Sequence, residues 1–355
     1  MRVLRYSGGV TTATTRPTGT PSAATSVTRF LHVANGDSTT GTIELAGLPG
    51  LRSVWADALH DGPVPGGVPD AELVEIRAKF ISDGWPADGP PLDATAGLAR
   101  WRAVIQDTSA YDELVLWYEH DLFDQLNLIQ LLAWIDQQPQ PQQQSQAFRA
   151  GKRVSLICIG SFPGHDDFKG LGELTPAELA PLFDIRQPVT AAQYALATRA
   201  WEAFRASDPR ALETLVRGHD MSALPFLAAA LRRHLEEFPW TTDGLGRTER
   251  RVMQLAEAGP ISFAEGFPRV HEGETAFYIA DLSLLEMIDR LAAASPPLMV
   301  SGNALALTDT GRAVLAGEID RVSHCGIDRW LGGVHLQGRC ATWRWNPERQ
   351  CIVLA

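Results

Sequence analysis

Apolar runs of four to six residues recur through the first half of the chain, and each empties into a polar turn. Phe30-Leu31-His32-Val33-Ala34 leads into Asn35-Gly36-Asp37-Ser38, and Ser53-Val54-Trp55-Ala56 leads into Asp57-Ala58-Leu59-His60-Asp61-Gly62-Pro63. Leu114-Val115-Leu116-Trp117-Tyr118 runs into Glu119-His120-Asp121-Leu122-Phe123-Asp124-Gln125. Val154 to Ile159 runs into Gly160-Ser161-Phe162-Pro163-Gly164-His165-Asp166-Asp167. Short apolar runs bounded by turn residues predict strands, and unbroken apolarity suits a parallel sheet covered on both faces. Helical spacing fills the gaps. The pattern predicts strands at 30–34, 51–56, 113–118 and 154–159, with helices at 38–47, 69–82, 94–107 and 121–137.

Beyond the fourth turn, Thr175-Pro176-Ala177-Glu178 is a helix start, with Thr as N-cap, Pro at the first position and Glu at the third. Helices are then predicted over 190–206, 209–217 and 222–237. From Gly244 the pattern changes. Thr248 is expected to cap a helix running to Glu257, and residues 277–293 to form a long helix. A strand pair split by Ser301-Gly302-Asn303 follows, then a helix over 309–316. Leu307-Thr308-Asp309-Thr310-Gly311-Arg312 resembles the wing-to-helix passage of a winged-helix module. The last forty or so residues, rich in Trp and Gly, are expected to close that module with a short hairpin.

The expected architecture is therefore α/β. A Rossmann-like parallel-sheet domain spans 29–185, a helical connector 186–240, and a winged-helix-like domain 241–355. At 355 residues the chain is long enough for two or more cores. Residues 1–28 contain no acid and many Thr and Ser, and are expected to be a disordered tail. The glutamine- and proline-rich stretch 137–146 is expected to be a surface insert.

Charge narrows the partners. The net charge of -11 argues against a broad nucleic-acid-binding surface. Residues 244–320 carry six arginines against eleven acids, a poor match for phosphates. The four cysteines show no C-x-x-C spacing, so reduced thiols in a cytoplasmic protein are expected. No stretch reaches the ~18 apolar residues of a membrane span.

Strands of an open parallel sheet bring their carboxyl ends to one edge, where ligands bind. The four polar turns thus predict one site. Glu119 to Gln125 is its densest part, and His120, Asp121 and Asp124 are the expected chemical centre. Asp121 and Asp124 share a helix face near an N-terminus, where capping alone would also favour carboxylates. Asn35, Gly36, Asp37 and Ser38 occupy the position of a first anion-binding turn, although neither G-x-G-x-x-G nor a P-loop motif is present. His60 beside Asp61 forms an imidazole–carboxylate pair suited to a base or metal ligand. No metal spacing such as H-E-x-x-H occurs, and no motif names a cofactor.

Together Asn35-Gly36-Asp37-Ser38, His60-Asp61-Gly62-Pro63-Val64-Pro65, Glu119 to Leu126 and Asp328-Arg329-Trp330-Leu331-Gly332-Gly333-Val334-His335-Leu336 resemble a bacterial family whose N-terminal module is a domain of unknown function. The resemblance covers most of the chain from Phe30 and implies a shared architecture. It carries no activity. The expectation from the residues is a small-molecule site for a nucleotide or phosphorylated metabolite, with hydrolysis, metal-assisted, as the reaction. The alternative is a non-enzymatic ligand-sensing regulator whose winged helix contacts a protein partner or DNA. A third reading makes the polar turns structural only.

Overall fold

The strands β1 (Phe30–Ala34), β2 (Leu51–Val54), β3 (Glu113–Glu119), β4 (Arg153–Ile159) and β5 (Gln187–Pro188) form one five-stranded sheet in the order β2-β1-β3-β4-β5. The first three pairings are parallel, and β5 adds an antiparallel edge. The computed structural model describes residues 28–86, 89–138 and 152–355. The expected tail up to residue 27, and most of the glutamine-rich insert, lie outside them.

β3 is buried along its whole length, as its unbroken apolar run requires for a central strand. Alternate residues face opposite ways. Leu114, Leu116 and Tyr118 join the larger apolar cluster, while Val115 and Trp117 pack with Ile43, Leu171 and Leu179 on the other face. His32 interrupts the apolar run of β1 yet is fully buried. Its Nδ1 accepts the Trp117 indole N–H at 3.1 Å, and its Nε2 lies 3.1 Å from the Pro49 carbonyl oxygen. Both ring nitrogens are satisfied by a neutral imidazole alone.

The helices of this half follow the predicted pattern: α1 (Asp37–Leu45), α2 (Asp70–Asp83), α3 (Ala94–Gln106) and α4 (Leu122–Gln137). α4 is apolar on nearly every side and is buried accordingly. It is sandwiched between the sheet and later helices. After the capping-box helix α5 (Pro176–Leu179) come α6 (Ala191–Phe204), α7 (Arg210–Gly218) and α8 (Leu227–Leu235). α6 and α8 both pack on α4.

Three expectations for the last third need correction. The helix expected to be capped by Thr248 is α9 (Arg247–Leu255), whose N-cap is Gly246. Thr248 lies in its first turn, buried, where it accepts from Arg233 Nη2 at 2.8 Å and bonds Glu237. After α10 (Phe263–Val270), the helix expected from 277 is α11 (Asp281–Ala292). Residues 277–280 stay outside the helix, and the chain just before them is tied elsewhere: Ala276 O accepts the Leu122 amide at 2.6 Å. Tertiary pairing overrides the helical period here. α11 is followed by the antiparallel pair β6 (Met299–Val300) and β7 (Ala306–Leu307), then α12 (Asp309–Leu315).

The third correction concerns the C-terminal segment. It forms two hairpins, β8 (Ile327–Leu331) with β9 (Val334–Gly338), and β10 (Trp343–Asn346) with β11 (Cys351–Leu354). The Gly332-Gly333 turn of the first reaches back to the N-terminal half. Gly333 N donates to Phe204 O at 3.0 Å, and Gly332 O accepts the Val64 amide at 2.9 Å. A Cβ on Gly333 would stand 1.9 Å from Arg205 O, so only glycine allows this approach. Arg205 then clamps the proline turn, donating to Pro65 O at 2.9 and 2.7 Å. One apolar cluster runs from Leu31 to Ile352 and joins all these parts.

Candidate functional site

The sheet order reverses direction between β1 and β3, and their carboxyl ends bound the crevice in which such sheets bind ligands. Two of the predicted turns meet there through hydrogen bonds, and a third, the turn after β4, packs against them through Gly160. Asn35, just past β1, donates from Nδ2 to Asp124 Oδ2 at 2.9 Å, and Thr39 Oγ1 donates to Asn35 Oδ1 at 3.0 Å. Asp124 Oδ1 accepts the Glu119 amide at 2.9 Å, tying the end of β3 to the first turn of α4. Asp121 is the N-cap of α4 and accepts the Asp124 amide at 2.9 Å. The Glu119 side chain turns to the opposite rim, where Leu171 N donates to its Oε1.

Three buried carboxylates so close together repel one another's charge. Burial, followed by the charges of Glu119 and Asp121, holds Asp124 well above the usual carboxylate range. Burial pushes Asp121 up to about 6, although amide donors from Asp124 and Tyr278 pull it back. Burial and mutual repulsion thus disfavour full ionisation of the cluster.

His120 stands at the edge of this cluster, half-buried. Its ring is surrounded by Phe168 at 6.4 Å, Phe226 at 6.1 Å and Tyr278 at 5.8 Å between centroids. Its Nδ1 is buried without a hydrogen-bond partner. Burial lowers its pKa below 6.5. Tyr278 in turn is pushed up to about 12 by burial and by the acids around it, Asp167 first. Gly160, at the end of β4, completes the cage: a Cβ there would lie 2.7 Å from the Phe226 ring and 3.2 Å from His120 Cβ. Gly160→Ala should thus lower stability by about 1–3 kcal/mol through overpacking. Urea unfolding of the variant would test this, and a midpoint matching wild type would refute the tight contact.

The remaining predicted residues have other surroundings. Gly36 is the N-cap of α1, and Asp37 and Ser38 lie exposed in its first turn. Ser38 Oγ donates to Gly172 O at 3.3 Å, and no side chain caps the helix. His60 is buried against the rings of Phe277 at 4.9 Å and Phe123 at 6.2 Å, with neither nitrogen hydrogen-bonded. Asp61 pairs with Arg290 at 2.9 Å. Burial raises the Asp61 pKa, but Arg290 and Arg329 more than offset this and hold it low. His165 meets Glu178 at 3.1 Å, and Asp167 pairs with Lys169 at 2.7 Å. The His60-Asp61 pair is thus held against Phe277 and Arg290 of the C-terminal part.

Several residues that position the site carry no motif. Arg77 of α2, 1% exposed, grips Asp57 through two bonds of 3.0 and 2.8 Å and donates to the carbonyls of Ala58 and Asp61. Asn127 of α4 accepts the Asp57 amide at 2.8 Å and returns a bond to its carbonyl at 2.9 Å. Residues 274–280 run past the end of β3 and the start of α4 as a strap. Leu122 bonds Ala276, the Tyr278 amide bonds Asp121, and the Tyr278 ring faces His120. Only the burial of Phe277 and Ile279, visible as apolar residues in a polar stretch, signals this in the sequence.

Among the described residues no group of three or more His, Cys, Asp and Glu side chains is placed to hold a metal ion. All four cysteines are unpaired. No described helix is long and apolar enough to cross a membrane. A scan against protein-family models finds no match, and a search of the curated proteins finds none either.

Proposed function

We propose that the protein binds a small molecule, a nucleotide or phosphorylated metabolite, in the crevice between the ends of β1 and β3, and that His120 exchanges a proton with it. The observation that carries this reading is the buried Nδ1 of His120, which has no hydrogen-bond partner, one residue before Asp121, whose carboxyl pKa burial raises. An imidazole lowered and a carboxyl raised toward neutrality suit general acid–base work. A ligand atom that pairs with Nδ1 relieves an unmade hydrogen bond. The uncapped first turn of α1 offers backbone amides to the anionic end. The reaction class is hydrolysis, with His120 as general base toward water.

Thermal-shift screening of nucleotides and phosphorylated metabolites tests this. A ligand at 100 times its Kd should add about 2.7 kcal/mol of stability to wild type. His120→Ala should lose that gain, read against the variant's own unliganded melting temperature. Equal gains in both proteins, or silence across the library, would contradict the assignment.

A second reading has its own support. The strap belongs to the C-terminal helices yet bonds to the start of α4 beside the crevice, so a ligand there would bear on α10 and α11. That arrangement suits a ligand-sensing regulator in which α9 to α12 and the β6/β7 pair act as a winged-helix-like module. A protein partner fits this module better than DNA, because Arg247, Arg250, Arg251 and Arg290 are already paired with Glu236, Asp243, Glu272 and Asp61. A salt-sensitive gel shift with duplex DNA would favour DNA instead.

A further inference from the structure

Two of the sequence motifs take no part in the strand-end site and meet elsewhere in the fold. The turn that holds His60-Asp61-Gly62-Pro63 and the hairpin of β8 and β9 touch where Val64 N donates to Gly332 O at 2.9 Å. α8 lies beside both, since Arg329 of β8 donates to Glu237, just past the end of α8, at 3.1 Å. His60, His234 of α8 and Arg329 bring polar side chains into this seam, and they are 7%, 1% and 8% exposed. His60 and His234 each feel the charges of Glu237 and Arg329, and His234 feels His60 as well. The three side chains therefore lie close together.

Their hydrogen bonding is incomplete. His60 Nδ1 and Nε2, His234 Nδ1 and Arg329 Nε are buried without a partner among the described residues. The neighbouring rings supply none: Phe277 stands 4.9 Å from His60 and Phe204 4.9 Å from His234, both edge to face. Buried polar atoms are almost always paired, and ordered water pairs those that protein groups do not reach. The atoms themselves select the occupant. A neutral imidazole has one N–H donor and one acceptor nitrogen, whereas Arg329 Nε only donates. An anion would accept from the donors and leave the acceptor nitrogen of His60 unmet. A cation would face the charges of Arg329 and Arg233. Water both donates and accepts, so one molecule serves both kinds of atom.

We infer that His60, His234 and Arg329 enclose a buried water site that ties the turn after β2 to α8 and β8. The site is independent of the ligand proposed for the His120 crevice. A crystal structure of the whole chain at about pH 8, where the imidazoles are neutral, tests it. The expected result is density for water within about 3.2 Å of at least two of these nitrogens. A dry seam, an ion in that place, or direct bonds from these nitrogens to other side chains overturns the assignment. In solution, a double-mutant cycle of His60→Phe and His234→Phe, followed by urea unfolding at the same pH, reads the shared water. Neutral rings have no charge to couple them, so the coupling reports what lies between. The double variant should lose about fivefold less of its folding equilibrium constant than the two single losses multiplied together. Single losses that simply multiply overturn the bridge.

Discussion

Glu237→Ala should lower stability by about 3–5 kcal/mol, the cost of breaking a buried ion pair from one side. Glu237 is 2% exposed and sits between two guanidiniums that are themselves buried. Arg233 Nη1 donates to its Oε1 at 2.7 Å, and Arg329 Nη2 donates to its Oε2 at 3.1 Å. The Thr248 amide adds a bond at 3.1 Å. Burial alone would raise the Glu237 pKa, yet Arg233 and Arg329 hold it far below the carboxylate range. Removing the carboxylate leaves buried Arg329 without its paired acid, its charge offset only through Glu249 and Asp61, while Arg233 keeps Glu274. Because Arg329 is on β8, the loss should loosen the C-terminal hairpin from α8 first. Urea unfolding measures the effect. Asp83→Ala, which breaks the exposed Lys79–Asp83 pair, is the control and should change stability within roughly 0.5 kcal/mol. A Glu237→Ala variant as stable as this control would contradict the burial argument.

Stability should also fall steeply as pH drops from about 6.5 toward 4. His32 and His60 are lowered by burial to about 4, and His234 to about 3. Each is neutral in the fold and protonates at about 6.5 when unfolded. Between those limits the unfolded chain binds more protons, so stability rises with pH and is lost on acidification. Each histidine contributes roughly 3 kcal/mol over that window. His32 shows why: a proton on Nδ1 would face the Trp117 N–H that this nitrogen now accepts. Asp121 and Asp124 work in the opposite sense. Their raised values mean that the fold holds protons the unfolded chain has released, a contribution present at low pH and lost as pH rises through about 6 for Asp121. The two carboxylates offset the three histidines only in part, so the net slope stays positive. Unfolding free energies measured between pH 8 and 5 should decline below 6.5; a flat profile would show that these imidazoles are not held neutral.

Much of the N-terminal fold was legible because its signals are local. Apolar runs marked β1, β3 and β4 to within a residue, and Thr175, Pro176 and Glu178 marked a helix start that forms as read. The Asn35–Asp124 contact followed from one physical rule, that parallel strands gather their ends. What escaped depends on partners far along the chain. His60 and Asp61 read as chemistry in a stiff turn, but Phe277 and Arg290 bury and pair them. The 277–280 stretch kept a helical period that its bonds to α4 override. Arg77, Asn127 and Glu237 belong to no motif, and nothing short of the tertiary fold reveals that each satisfies several buried groups. Gly332 and Gly333 were conspicuous in sequence; their reason, the carbonyls of Phe204 and Arg205, lies more than a hundred residues away.

A ligand held by His120 in the crevice between β1 and β3 should register on the imidazole itself. NMR of histidine-labelled protein would follow each imidazole over pH with and without the stabilising ligand from the nucleotide and metabolite screen. In the free protein His120 should titrate below 6.5. On ligand addition its ring signals should move and its pKa change, while the exposed His219 and His324 stay fixed. A His120 titration that the ligand leaves untouched would contradict the account.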